Sequence, residues 1–208
     1  MPHAKLDDVA RQIVSDDQAF APLVAQVGSA PVQRVRPPRE RFPALVSAVV
    51  SQLLSTKAAD TIHSRVVNEC DGVVTADAIL HIGPDRLRSA GLSNAKAATV
   101  QTLARRTVDG TLRLDQHARW DDAAITDELM SVRGVGPWTI QVYLLFTLGR
   151  PDVWPVGDLG VRRGWSLIHS DPELISAKQL QHAGDPHAGR RSAVAWYCWQ
   201  AVHLERGF

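Results

Sequence analysis

A chain of 208 residues with 45% apolar content and a formal charge of +1 is large enough for one domain, or for two small lobes sharing one chain, with a true hydrophobic core. The polar start MPHAKLDD argues against a signal peptide, and no segment is apolar for long enough to span a bilayer, so a soluble cytoplasmic protein with no membrane partner is expected. Two cysteines, Cys70 and Cys198, cannot form a four-cysteine metal cage and read as buried reduced thiols.

Apolar spacing gives helices almost throughout and no strand ladder. Residues 5–28 read as one or two short helices, and 29–41, with Pro31, Pro37 and Pro38, as an irregular connector. A helix over 42–54 carries Leu45, Val49 and Leu53 at burial spacing. Ser55 or Thr56 then caps a helix through Ala58, Ile62 and Val66. Shorter helices follow over 76–81 and 84–90, and Gly91-Leu92-Ser93 stops one helix and caps the next, 94–108. Ile125, Leu129 and Val132 mark a helix before Gly134-Val135-Gly136. Pro137 then opens another, through Val142, Leu145 and Leu148, that ends near Gly149 and Pro151. Asp171-Pro172 is expected to open a helix to about Gln181, 184–189 to be a loop, and 190–204 to close the chain as an amphipathic helix.

The tight hairpin around Gly134 and Gly136 is the most chemically suggestive stretch. Glycine takes positive φ and lets another molecule approach the main chain, and the N–H groups at the start of the following helix can bind a phosphate oxygen without a basic side chain. That matters because a charge of +1 is low for a protein that binds nucleic acid by counterion release. Basic residues do cluster, at Arg34, Arg36, Arg39 and Arg41, at Arg162 and Arg163, and at Arg190 and Arg191; solvated helix faces explain such clusters equally well. Past the hairpin, an apolar run from Val153 to Val156 leads to Asp158, a carboxylate at a helix start that reads either as an N-cap or as a catalytic group. Spacing alone puts Leu53 on the buried Leu45/Val49 stripe, and six tryptophans could simply pack a helical core.

Three matches carry a resemblance. GVGPWT is followed, twenty residues after its Trp138, by Asp158 in the setting W-P-x-x-D-L-G-V-R. The corner SQLLSTKAA runs from Ser51 to Ala59, and RSAVAWYCW from Arg191 to Trp199. Together these resemble the helix-hairpin-helix DNA glycosylases with a Gly/Pro-rich loop and a catalytic Asp, most closely the alkylation-repair branch, the 3-methyladenine DNA glycosylase II type, over roughly residues 40–205. The resemblance implies an all-α, two-lobed fold with the active-site cleft between helical subdomains: a central lobe of about 45–155, and a second lobe of about 1–44 plus 156–208. The classical bacterial enzyme has a further N-terminal lobe with a small sheet, which this chain is too short to include in full.

The resemblance also implies roles. Gly134, Gly136 and Thr139 at the hairpin and Gln52 at the corner would contact the DNA, and Leu53 would wedge into the stack where the damaged nucleotide has left. An apolar plug there makes sense because unstacking a base costs a few kcal/mol. Trp138 and Trp199 would face the extruded base, and an indole face attracts a cationic N-alkylated purine at roughly 0.5 to 2 kcal/mol. Tyr143 is a further pocket candidate, since the family's tyrosine four residues after the hairpin aromatic is Val142 here. The Pro-Trp usual before Arg-Ser is Gly189-Arg190. Asp158 would stabilise positive charge on C1′ and activate water; a base already cationic leaves without a second acid.

Strand-cutting members place a lysine where this chain has Trp138, so the reading is a monofunctional glycosylase that leaves an abasic site. Lys57 and Lys96 lie near the motifs but match no such position. No cofactor is required, and the iron–sulfur cluster of the endonuclease branch is not expected. The resemblance also implies that carbonyls of Met130, Val132 and Val135 could hold a monovalent cation that bridges to a phosphate. The partner is double-stranded DNA with damaged bases, engaged by a monomer. The alternatives are a glycosylase for deaminated or oxidised bases, a non-catalytic helix-hairpin-helix DNA-binding module, and a helical protein-interaction domain with no DNA role.

Overall fold

The computed structural model describes residues 7–207; the polar start read at residues 1–6 and the last residue lie outside it. Among the described residues the regular structure is eleven α-helices and three short 3-10 turns, with no strand. None of the helices among the described residues is long and apolar enough to cross a membrane. The chain divides into two units, Val35–Leu148 and a second one built from the chain up to Arg34 and from Gly149 onward.

The unit from Val35 to Leu148 holds α3 (Pro38–Ser51), α4 (Thr56–Glu69), α5 (Ala76–Ser89), α6 (Asn94–Val108), α7 (Asp122–Met130) and α8 (Pro137–Phe146). Its core is formed by Leu45 and Val49 of α3, Val66 of α4, Ile79 and Leu87 of α5, Val100 and Leu103 of α6, Ile125 and Leu129 of α7, and Ile140 and Leu145 of α8, all buried. Side-chain caps start four of these helices: Ser55 and Ser93, both expected as caps, and Thr75 and Asp121 each accept from a main-chain N–H three residues on. The two short helices expected over 76–90 appear as α5 with a break at Gly83, whose φ of 72° interrupts the helix ahead of Pro84.

α3 begins four residues before the expected start and ends three before the expected end. Pro37 and Pro38 open it, because proline suits a first turn that needs no N–H donor. Arg41, expected in an irregular connector, is buried within α3, and its guanidinium donates to the carbonyls of Arg36, Leu114 and Asp115.

The other unit holds α1 (Asp8–Asp16), α2 (Ala21–Val27), α9 (Leu159–Ile168), α10 (Ala177–Ala183) and α11 (Arg191–Glu205). Phe20 is fully buried and meets Trp165 edge-on at 5.7 Å and Tyr197 at 6.3 Å. α9 and α11 lie directly against each other at Gly164, where an added Cβ would sit 1.9 Å from the carbonyl oxygen of Cys198. The expected amphipathic character of α11 is not observed: Ser192 through Ala195, Tyr197 and Cys198 are all buried, so its first two turns are interior on nearly every side. Both cysteines are free and buried, and burial pushes the Cys198 thiol well above its ordinary range.

The helix expected from Asp171-Pro172 starts at Ala177 instead. Asp171 spends its carboxylate on the N–H of Glu173, and the Ile175 N–H goes to the Ser166 hydroxyl, which holds the intervening chain non-helical. Ser176 and Gln179 then form a reciprocal capping box that starts α10.

Candidate active site

The hairpin joins α7 to α8 through Ser131–Gly136. Gly134 has a φ of 91°, and a Cβ on it would lie 2.0 Å from the Thr99 hydroxyl, so the position accepts only glycine on two independent grounds. Thr99 donates to the Arg133 carbonyl at 3.1 Å, and the Val135 N–H closes the turn on the Val132 carbonyl at 3.0 Å. Gly136 is the N-cap of α8 and Pro137 its first residue, so the first N–H groups of α8 start beyond the glycine. Trp138 follows in the first turn of α8, half-buried.

The turn after α3 carries Leu53. Gln52 has φ −52° and ψ 126°, Leu53 has φ 56°, and the Leu54 N–H reaches back to the Ser51 carbonyl at 3.2 Å. That is type II turn geometry, in which the third residue is normally glycine. Leu53 is also fully exposed, at 104%. It therefore does not continue the buried Leu45/Val49 stripe, because the helix ends two residues before it. A leucine in a left-handed conformation and wholly in water is unfavourable twice over.

Gln52 and Thr139 hold this turn against the hairpin. The Gln52 amide donates to the Gly134 carbonyl at 3.0 Å and to the Thr139 hydroxyl at 2.7 Å. Thr139 is 1% exposed, and its hydroxyl is an internal partner of Gln52. Tyr143 is likewise in the interior. It is 1% exposed, and its hydroxyl lies 3.1 Å from Nδ1 of His117, whose Nε2 lies 2.7 Å from Glu128. Burial pushes the Tyr143 phenol well up and the His117 imidazole down, so the neutral ring donates from Nε2 to Glu128 and accepts from Tyr143.

In the other unit, Asp158 is the N-cap of α9. Its Oδ1 accepts the Val161 N–H at 2.7 Å and the Trp199 indole Nε1–H at 3.0 Å. Gly160 makes room for that indole: a Cβ there would meet Trp199 Cδ1 and Asp158 Oδ1 at 3.0 Å each. The chain leading to Asp158 is clamped to the start of α11 by Ser192, which donates to the Arg150 carbonyl at 2.6 Å and accepts the Val153 N–H at 2.9 Å. Arg191 adds a bidentate pair with Asp152, at 2.7 and 2.5 Å, which holds that carboxyl below its usual range. Asp152 and this use of Ser192 carried no sequence signal; the partners are 39 to 42 residues apart.

Most of the basic clusters are spent internally. Arg163 pairs with Glu205, Arg190 with Asp16 and Arg191 with Asp152, while Arg162 donates to the Ile175 carbonyl. Among the described residues there is no group of three or more His, Cys, Asp and Glu side chains that could hold a metal ion. Main-chain oxygens of Met130, Val132 and Val135 are neutral hard donors suited to a monovalent cation, with the Val132 oxygen already accepting one hydrogen bond.

A family model described as "HhH-GPD superfamily base excision DNA repair protein" matches residues 46–185. DNA-3-methyladenine glycosylase 1 of Schizosaccharomyces pombe is 29% identical over 191 residues, covering 90% of this chain and 84% of the relative. A Mycobacterium tuberculosis protein named as a probable bifunctional transcriptional activator/DNA repair enzyme, AlkA, is 33% identical over 208 residues, 94% of this chain and 38% of that one. The solved S. pombe 3-methyladenine DNA glycosylase in complex with abasic DNA superposes with a TM-score of 0.85 at 27% identity, covering 93% of this chain and 96% of that one.

Proposed function

The chain belongs to the HhH-GPD superfamily of base excision DNA repair proteins, and from that membership we propose that it is a monofunctional DNA glycosylase that removes alkylated purines such as 3-methyladenine from duplex DNA and leaves an abasic site. The observation that carries the reading is the Asp158 carboxylate, held at the head of α9 by a main-chain N–H and by the Trp199 indole. The relatives' own names point to the same substrate class.

The proposed reaction assigns each group one task. Main-chain N–H groups at Gly134 and Gly136 take a phosphate of the lesion strand. Leu53 enters the stack and replaces the contacts of the nucleotide that has left. Trp138 and Trp199 receive the cationic base against their indole faces. As the C1′–N bond lengthens, its electron pair leaves with the base and C1′ becomes positive. Asp158 stabilises that charge, and the oxygen of a water molecule bonds to C1′ while its proton passes to the carboxylate. Trp138 stands where a Schiff-base lysine would be needed, so the backbone is not cut. Carbonyls of Met130, Val132 and Val135 would hold a monovalent cation and so add one phosphate contact, with no part in bond cleavage. The enzyme acts as a monomer in the cytoplasm.

The test is base release from randomly methylated duplex DNA, wild type beside Asp158→Asn, with the free bases separated and identified. Methylated purines released by the wild type alone, at equal DNA affinity, are the expected result. Release of nothing from that DNA, but of hypoxanthine or an oxidised base from matching duplexes, would move the enzyme to another lesion class. Salt-dependent binding with no release from any of them would make it a binding module.

A further inference from the structure

Lys96 has no role in the reaction above, since the lysine that would cut the strand belongs at the position of Trp138. Its place is nonetheless specific. The side chain is half-buried in the first turn of α6, and its ammonium donates to the Val50 carbonyl at 2.8 Å and to the Gln52 carbonyl at 2.7 Å. Both carbonyls belong to the end of α3, where a helix presents unpaired oxygens and partial negative charge. The Gln52 carbonyl belongs to the peptide group that leads directly into Leu53.

That peptide group is held from two directions. Lys96 fixes its oxygen, and the Gln52 side chain fixes the residue to the hairpin through Gly134 and Thr139. Leu53 itself makes a poor contribution to its own geometry, because φ is 56° in a residue that disfavours it and the side chain is fully exposed. Such a turn persists only when its surroundings over-determine it. Two charge-assisted hydrogen bonds from a partly desolvated ammonium supply that constraint; burial also draws Lys96 below its ordinary pKa.

We propose that Lys96 is a positioning residue for base extrusion: it locks the turn after α3 so that Leu53 is presented for insertion, and it neither contacts DNA nor reacts. This rests on the reading of Leu53 as the wedge.

A double-mutant cycle tests it. Wild type, Lys96→Met, Leu53→Ala and the double variant are compared in single-turnover base release from methylated duplex and in affinity for an undamaged duplex. Lys96→Met is expected to slow release on the order of tenfold, as small misplacements of a positioned group do. Affinity for undamaged duplex should stay within about twofold, since no phosphate contact is lost. In the Leu53→Ala background the lysine substitution should add little, because coupled residues are not additive.

Equal losses in both backgrounds, wild-type release by Lys96→Met, or a parallel drop in affinity for undamaged duplex would each overturn the proposal. Wild-type release by Leu53→Ala would remove the wedge and this inference together, while release by the wild type still upheld the glycosylase. If Lys96→Met gives no cooperative thermal transition, Lys96→Gln, which keeps one donor, replaces it and is expected to show a smaller loss with the same non-additivity.

Discussion

The indole of Trp199 donates a hydrogen bond of 3.0 Å to Oδ1 of Asp158, the same oxygen that caps α9. One carboxylate oxygen thus receives two donors, one from the main chain of α9 and one from α11, and the plane of the carboxyl group is set by both. The tryptophan read from the sequence as a wall for the base is also a support for the aspartate.

Trp199→Phe separates these tasks, because it keeps an aromatic face and removes the N–H. A hydrogen bond to a charged group contributes roughly 1.5–3 kcal/mol, so loss of the support should slow single-turnover base release on the order of tenfold to a hundredfold, at unchanged affinity for duplex. Release at the wild-type rate would mean the indole acts through its face alone.

Capping and catalysis at Asp158 also come apart. Asparagine caps a helix about as well as aspartate, whereas alanine costs about 1 kcal/mol. Asp158→Asn should therefore melt close to the wild type and Asp158→Ala a few degrees lower, with neither releasing base. An Asp158→Asn protein that melted as low as the alanine variant would show that charge, not the hydrogen bond, supports the head of α9.

Leu53→Gly should move stability and activity in opposite directions. Glycine suits the third position of a type II turn, so relief of the φ of 56° is expected to stabilise by up to about 1 kcal/mol, seen as a Tm rise of a few degrees. Base release should fall because the wedge is gone. A lower Tm would mean that the leucine side chain contributes to the fold despite its exposure.

Arg163, Arg190 and Arg191 are paired internally and Arg41 is buried, so these members of the basic clusters are not available to phosphates. With main-chain groups making the anchoring contacts, the slope of log K against log salt for undamaged duplex should be shallow, about −2 to −3. A slope near −6 would mean that exposed cations such as Arg133 of the hairpin, Arg34, Arg39 and Lys57 meet phosphates as well.

Acid should destabilise the protein before the carboxylates titrate. Burial holds His117 and His187 below their ordinary value of 6.5, so the unfolded chain binds protons that the folded chain refuses. The stability these neutral rings provide is intact above pH 6.5 and is lost as pH falls below that value toward the folded pKa values. Tm should drop between pH 7 and pH 5.5, and less steeply in a His117→Phe variant. A flat Tm across that range would contradict the assignment of both rings as neutral.

Local signals were enough for much of the chain. Capping residues, apolar spacing and the Gly-Pro pair specify α4, α6, α7 and the start of α8 because each depends on side chains within a turn of one another. The same holds for the resemblance, which rests on contiguous motifs and led to the family. What the tertiary structure alone decided lies where the partner is distant in sequence. Leu53 continues an apolar stripe on paper, and only the end of α3 at Ser51, with Gln52 fixed by Lys96 from 44 residues away and to Gly134 from 82 residues away, turns it out into water. Thr139 and Tyr143 sit among site residues in the sequence but face the core, because Gln52 and His117 take their hydroxyls. Asp158 looks like an N-cap by its position, and it is one. That an indole 41 residues later shares its oxygen follows from the close approach of α9 to α11, which no local pattern records.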